Sequence, residues 1–156
     1  MRRLKIPLSV LFAAVFLFAA AASGFAQGRP ESQFDFEASV ESLASAAQSG
    51  KTLPIGRYVV LTGTLRSVET NPDESFSARL ELAAGQWLGT SRVVLQTVFV
   101  NLSGESYRAF FDQATPSYIR LGSSVLVVAR VAGVSAGENG EPVVSLDGVH
   151  LRRLDS

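Results

Sequence analysis

Five residues in this chain have side chains suited to gripping a flat or anionic ligand. Tyr58, Arg66, Arg79 and Arg92 fall on outward-facing positions of alternating apolar segments, and Trp87 lies between Gly85 and Gly89. Aromatic rings offer stacking surfaces and guanidinium groups offer forked donors for anions. Together they make a conceivable surface for stacking and phosphate contact. The competing reading buries Tyr58 and Trp87 in part and leaves the arginines as solvent-facing spacers, some paired with Glu69 or Glu81. Trp87 is the residue expected to anchor a partner, since tryptophan and arginine dominate binding hot spots. Other chemistry is poorly supplied. The chain has no cysteine and one histidine, His150. That excludes thiolate nucleophiles, disulfides and multi-histidine metal sites. No serine elbow, phosphate loop or metal-ligand run is present. No catalytic residue, metal or cofactor is expected, and a non-enzymatic protein follows.

The elements that must hold these residues start with an address. Arg2, Arg3 and Lys5 precede an apolar run from Leu8 to Ala22, and Gly24 and Ala26 are small residues ahead of Gln27. This is the layout of a cleavable secretory signal over residues 1–26. A retained anchor is the alternative, but a spanning helix needs about 20 apolar residues. Cleavage near Ala26 predicts a periplasmic or secreted protein with no stable membrane anchor. It also changes the charge. The full chain has 14 basic and 14 acidic residues, and loss of Arg2, Arg3 and Lys5 leaves 11 against 14, a net of −3. A nucleic-acid binder usually has the opposite sign. The full chain is 47% hydrophobic and 18% charged, which supplies ample apolar surface for one folded domain.

Residues 27–56 are expected to form an N-terminal helix, Phe34 to Gln48, and a connector. Phe36, Val40, Leu43 and Ala47 recur at helical spacing, which predicts packing of Phe36, Val40 and Leu43 against the rest. From residue 57 to 154 the period switches to that of strands. Tyr58 to Val68 places Val59, Leu61 and Leu65 on one face, with Gly63 marking a bulge or sharp coil. Phe76 to Leu82 alternates cleanly, with Phe76, Ala78, Leu80 and Leu82 inward. Ala83 to Ser91 reads as a connection carrying Trp87, and Arg92 to Leu102 as a third strand. Glu105 to Gln113 is a short amphipathic helix whose Tyr107, Phe110 and Phe111 plug the core. Ser124 to Val134 and Val143 to Leu151, broken at Asp147-Gly148, complete five strands. The fold class is therefore mainly β, a five-stranded OB-type Greek-key barrel with an N-terminal helix and a short helix between strands three and four. A small β-sandwich is the alternative, though an immunoglobulin-type sandwich needs about seven strands.

Three segments, Tyr58 to Leu65, Leu121 to Val127 and Val143 to Val149, resemble strand motifs of small secreted OB-fold proteins of the tRNA-anti-like family, with Gly148 standing where that family has a cysteine. The resemblance spans about Phe34 to Leu154 and implies the fold, not an activity. Loops Asn71 to Ser75 and Ser135 to Pro142 are acidic, and the address is extracytoplasmic, so nucleic acid is disfavoured as a partner. The resulting expectation is an exported, non-catalytic binding module of the bacterial envelope whose partner is an unidentified protein or small ligand. Single-stranded oligonucleotide binding by the barrel face is the alternative.

Overall fold

The computed structural model describes residues 33–71, 75–89 and 91–154, without the side chain of Trp87; the leader assigned to 1–26 lies outside them. The elements in chain order are β1 (Phe34–Asp35), α1 (Val40–Gln48), β2 (Tyr58–Asn71), β3 (Ser77–Leu88), β4 (Arg92–Ser103), a 3-10 turn (Glu105–Phe110), β5 (Ser124–Ala136) and β6 (Pro142–Arg153). The sheet runs β1-β2-β3-β4-β6-β5, and β2 pairs again with β5. That second pairing closes β2 to β6 into a five-stranded barrel. All its pairings are antiparallel except β4 with β6. This is the OB arrangement that the alternation and element order predict.

Alternation decides what the barrel buries. Val59, Leu61 and Leu65 of β2, Ala78, Leu80 and Leu82 of β3, and Val98, Val100 and Leu102 of β4 point inward. Val125, Val127 and Val131 of β5 and Val144, Leu146 and Leu151 of β6 meet them in one apolar cluster. Each fully buried Leu or Val contributes roughly 1.5–3 kcal/mol relative to exposure. At Thr64, β2 changes partners. That residue pairs with Ala83 of β3 and with Ser124 of β5. Gly63 permits the changeover because a side chain there would begin 3.2 Å from the Ala83 carbonyl oxygen. The register shift falls one turn of the pleat later, between Leu65 and Ser67, and leaves Arg66 as the extra residue. Gly148 has a comparable role in β6. A Cβ there would overlap Leu102 Cδ2 and lie 3.0 Å from Val100 Cγ1.

Three expectations need correction. The helix does not reach back to Phe34. Ser39 caps it, its Oγ accepting from the Ser42 N–H at 3.1 Å while Ser42 Oγ accepts from the Ser39 N–H at 2.8 Å. A capping box outweighs the helical spacing of Phe36. Phe34–Asp35 instead pairs parallel with β2, and Phe36 is 71% exposed, stacked on Phe34. Val40 and Leu43 are buried as the spacing predicts, and Ala44 is buried beside them. Next, the segment carrying Trp87 is strand rather than connection. β3 runs on to Leu88, with Trp87 paired to Val93 and Leu88 to Arg92. Gly85 does not interrupt it. Finally, the helix after β4 is a single 3-10 stretch, and Tyr107, Phe110 and Phe111 are half-buried against the core. Ile119, 3% exposed, is the fully buried residue of that segment, and its N–H donates to the Phe110 carbonyl at 2.8 Å.

Candidate functional site

The outer faces of β2, β3 and β4, the β5–β6 loop and Gln48 of α1 enclose a groove of about 570 Å³. Its floor follows from the register. Glu69 sits opposite Arg79, Ser67 opposite Glu81, and Glu81 opposite Phe99. With Val98, Val100 and Leu102 inward on β4, the alternate positions Leu95, Thr97 and Phe99 face the groove. At its centre the Arg79 guanidinium carbon lies 4.0 Å from the Phe99 ring centroid. Arg79 Nε is buried and has no hydrogen-bond partner among the described residues. Glu81 organises the neighbouring row. It accepts from Ser67 Oγ at 3.1 Å and pairs with Arg66 at 3.7 Å. Arg66 stays half-exposed at the bulge, and a surface pair of this kind is worth about 0–1 kcal/mol, so its guanidinium is available to a ligand.

The wall opposite is the β5–β6 loop. The Gly137 N–H donates to the Glu141 carbonyl at 2.8 Å, and the Asn139 N–H to Glu141 Oε2 at 2.9 Å. The Glu141 carboxylate occupies the space where a Gly137 side chain would start, so any larger residue there would displace it. At the far end, α1 is pinned by Gln48 Nε2 donating to Gln96 Oε1 at 3.1 Å. Beyond the groove, Glu105 ties the start of β3 to the 3-10 turn. It accepts from the Phe76 N–H at 3.1 Å and from Arg108 at 2.7 and 2.9 Å. The Arg108 bonds, then the Phe76 N–H, lower its pKa to about 2. Burial raises that of Tyr107, and the Glu105 bond raises that of Arg108.

Of the five residues singled out from the sequence, the groove brings together Arg66 and Arg79. Tyr58 starts β2 and stacks on Phe34 at 5.3 Å, away from the groove lining. Arg92 starts β4 at the hairpin end and is exposed. Trp87 pairs with Val93 through its backbone. Phe99, Thr97, Leu95 and the Glu141-braced loop went unread. Phe99 carried a signal, an aromatic residue in phase with Leu95 and Thr97 and out of phase with the inward valines. Among the described residues, no group of three or more His, Asp and Glu side chains is close enough to hold a metal ion.

No protein-family model matches this sequence, and no curated protein matches it. Solved structures do. A protein assigned as an aspartyl-tRNA synthetase from Leishmania major Friedlin superposes with a TM-score of 0.52 at 14% identity over 76% of this chain. The match covers only 20% of the synthetase. The mitochondrial single-stranded DNA-binding protein of S. cerevisiae gives a TM-score of 0.45 at 18% identity, covering 64% of this chain and 95% of that one. The single-stranded DNA-binding protein of Thermus aquaticus gives 0.44 at 20% identity, covering 64% and 50%. At such identities the likeness shows the OB fold. The comparisons also correct the expectation of an envelope module for a protein or small ligand with nucleic acid disfavoured, because the proteins of this fold that the chain is similar to include single-stranded DNA-binding proteins. That expectation rests on net charge, acidic loops and an extracytoplasmic address, none of which reveals an arginine laid over an aromatic ring.

Proposed function

We propose that the groove binds a short single-stranded oligonucleotide, chiefly by stacking. The observation that carries this reading is Arg79 lying over Phe99 at 4.0 Å in the middle of the β2–β3–β4 face, with its Nε unpartnered. Unstacked bases are held on aromatic rings and on guanidinium planes, and each stacked base contributes about 1–3 kcal/mol. The lining offers two cations, Arg66 and Arg79, against Glu69, Glu81, Glu138 and Glu141. Phosphate neutralisation is therefore a minor contribution here. The protein acts as a binding module without catalysis. The leader composition supports export, and an exported chain meets oligonucleotides as extracellular fragments. The strand motifs around Tyr58 to Leu65 and Val143 to Val149 support kinship with secreted tRNA-anti-like OB proteins.

Anisotropy of labelled mixed-sequence oligomers, titrated at low salt, tests the reading. Arg79→Ala and Phe99→Ala are each expected to weaken binding by about fivefold or more, with Arg92→Ala unchanged. An Arg79→Ala protein that binds as the parent does, or a parent that binds nothing at low salt, sinks it.

A further inference from the structure

The groove does not end at Arg66. Beyond it lies a second concavity of about 420 Å³, lined among others by Thr64, Ala83, Gly85 and Leu121. Arg66 and Leu95 line both spaces. Its origin is the partner change at Thr64. There β2 turns to β5, and β3 continues past Ala83 without a β2 neighbour, which opens a wedge between the two strands. Gly85 lines the wedge without a side chain, and a Cβ there would crowd Val93 Cγ1 at 3.3 Å. Leu95 and Leu121 are 56% and 66% exposed at its rim. The charge changes across Arg66. Among the described residues, four carboxylates line the groove, whereas Arg66 is the sole charged residue lining the wedge.

We infer that the wedge is a second base subsite, so that the ligand unit is at least a dinucleotide. This rests on the groove reading above. One base stacks at Arg79 and Phe99, the next lies on the apolar floor between Leu95 and Leu121, and the phosphate joining them meets Arg66 at the boundary. Charge complementarity favours this occupant. An anionic link elsewhere along the groove lies among the glutamates, whereas at the boundary it meets the Arg66 guanidinium, whose partner Glu81, 3.7 Å away, lines the groove and not the wedge. Continuity does the same, because Arg66 and Leu95 belong to both spaces and one strand can run through them.

The test uses protein purified after expression of the full chain, with methyl-labelled leucines and ring-labelled phenylalanines, titrated with thymidine monophosphate and then with dTpdT. The dinucleotide is expected to bind about fivefold or more tighter than the monophosphate. The Leu95 and Leu121 methyls should move with dTpdT, and Leu121→Ser, at an exposed position, should remove most of the gain. Movement of Phe99 with a silent Leu121 methyl at saturation, whether or not Leu95 moves, overturns the second subsite and leaves the groove intact. Silence of Phe99 with every oligonucleotide overturns both. A Leu121 methyl that shifts with protein concentration alone assigns the wedge to a second copy of the chain, and the inference fails.

Discussion

Raising the salt concentration separates stacking from charge in this groove, and the structure bounds the effect. Binding to single strands weakens with salt in proportion to the number of phosphates neutralised, with a logarithmic slope of about −0.7 per contact. Among the described residues, Arg66 and Arg79 are the cations that line the groove. With both engaged, the slope is about −1.4, so a fourfold rise in salt weakens binding by about sevenfold. Arg66→Ala leaves one contact, a slope of about −0.7 and a loss of roughly threefold over the same range. The nearby glutamates gain nothing from added counterion release and hold the slope at or below that bound. The assay is anisotropy of a labelled oligomer at a series of salt concentrations, for the parent and for Arg66→Ala. A slope of −4 or steeper would imply about six phosphate contacts. No set of that size lines the groove, so that result would move the interface to another surface. A parent slope unchanged by Arg66→Ala would remove Arg66 from the phosphate path.

Two further outcomes follow from the scaffold. Gly148→Ala drives a methyl into Leu102 Cδ2 and against Val100 Cγ1, inside the packed core; the expected cost is about 1–3 kcal/mol, read as a lower urea midpoint with an unchanged slope. The pKa of Glu105 falls in the folded state to about 2 from an ordinary value of 4.5. Its contribution is therefore complete above about pH 4.5 and disappears as the pH falls toward 2. Glu105→Gln should flatten the acid limb of a stability–pH curve in that window and leave neutral-pH binding unaltered; an unchanged acid limb would show that the Phe76 and Arg108 bonds do not persist in solution.

How much of this was legible depended on whether a segment carried one pattern or two. Phe76 to Leu82 alternates strictly between apolar and polar, and its face could be assigned from spacing alone. Arg92 to Leu102 is apolar on both faces, with Val93, Leu95 and Phe99 on one and Val94, Val98 and Val100 on the other. The central aromatic of the groove was therefore hidden among core-like neighbours. Glycine misled in one place and informed in another. Gly85 and Gly89 suggested a loop around Trp87, although only Gly89, with φ of 69°, turns the chain. Gly63 and Gly148 mark close approaches of the backbone, which is why both survive inside strands. The Phe34 to Gln48 helix failed at its start for a local reason. Two serines three residues apart bond each other's backbone and stop the helix at Val40. Arg79 over Phe99 could not be read at all, since it joins neighbouring strands through a register that spacing does not fix.

One seam of the barrel differs from the rest. β4 and β6 meet in parallel over Val98–Asn101 and Val144–Asp147 alone, the shortest pairing around the barrel, and parallel pairs are slightly less stable per residue. The floor of the groove stands on one side of that seam and its loop wall on the other. Local opening free energies in a folded protein are lowest where few buried apolar contacts hold a segment. Val98, Val100, Val144 and Leu146 of this seam are fully buried, so floor and wall are held together there by core packing as well as by a short ladder. The spacing of floor and wall is therefore set by apolar side chains behind the seam, while the long β3–β4 ladder sets the positions of Arg79 and Phe99.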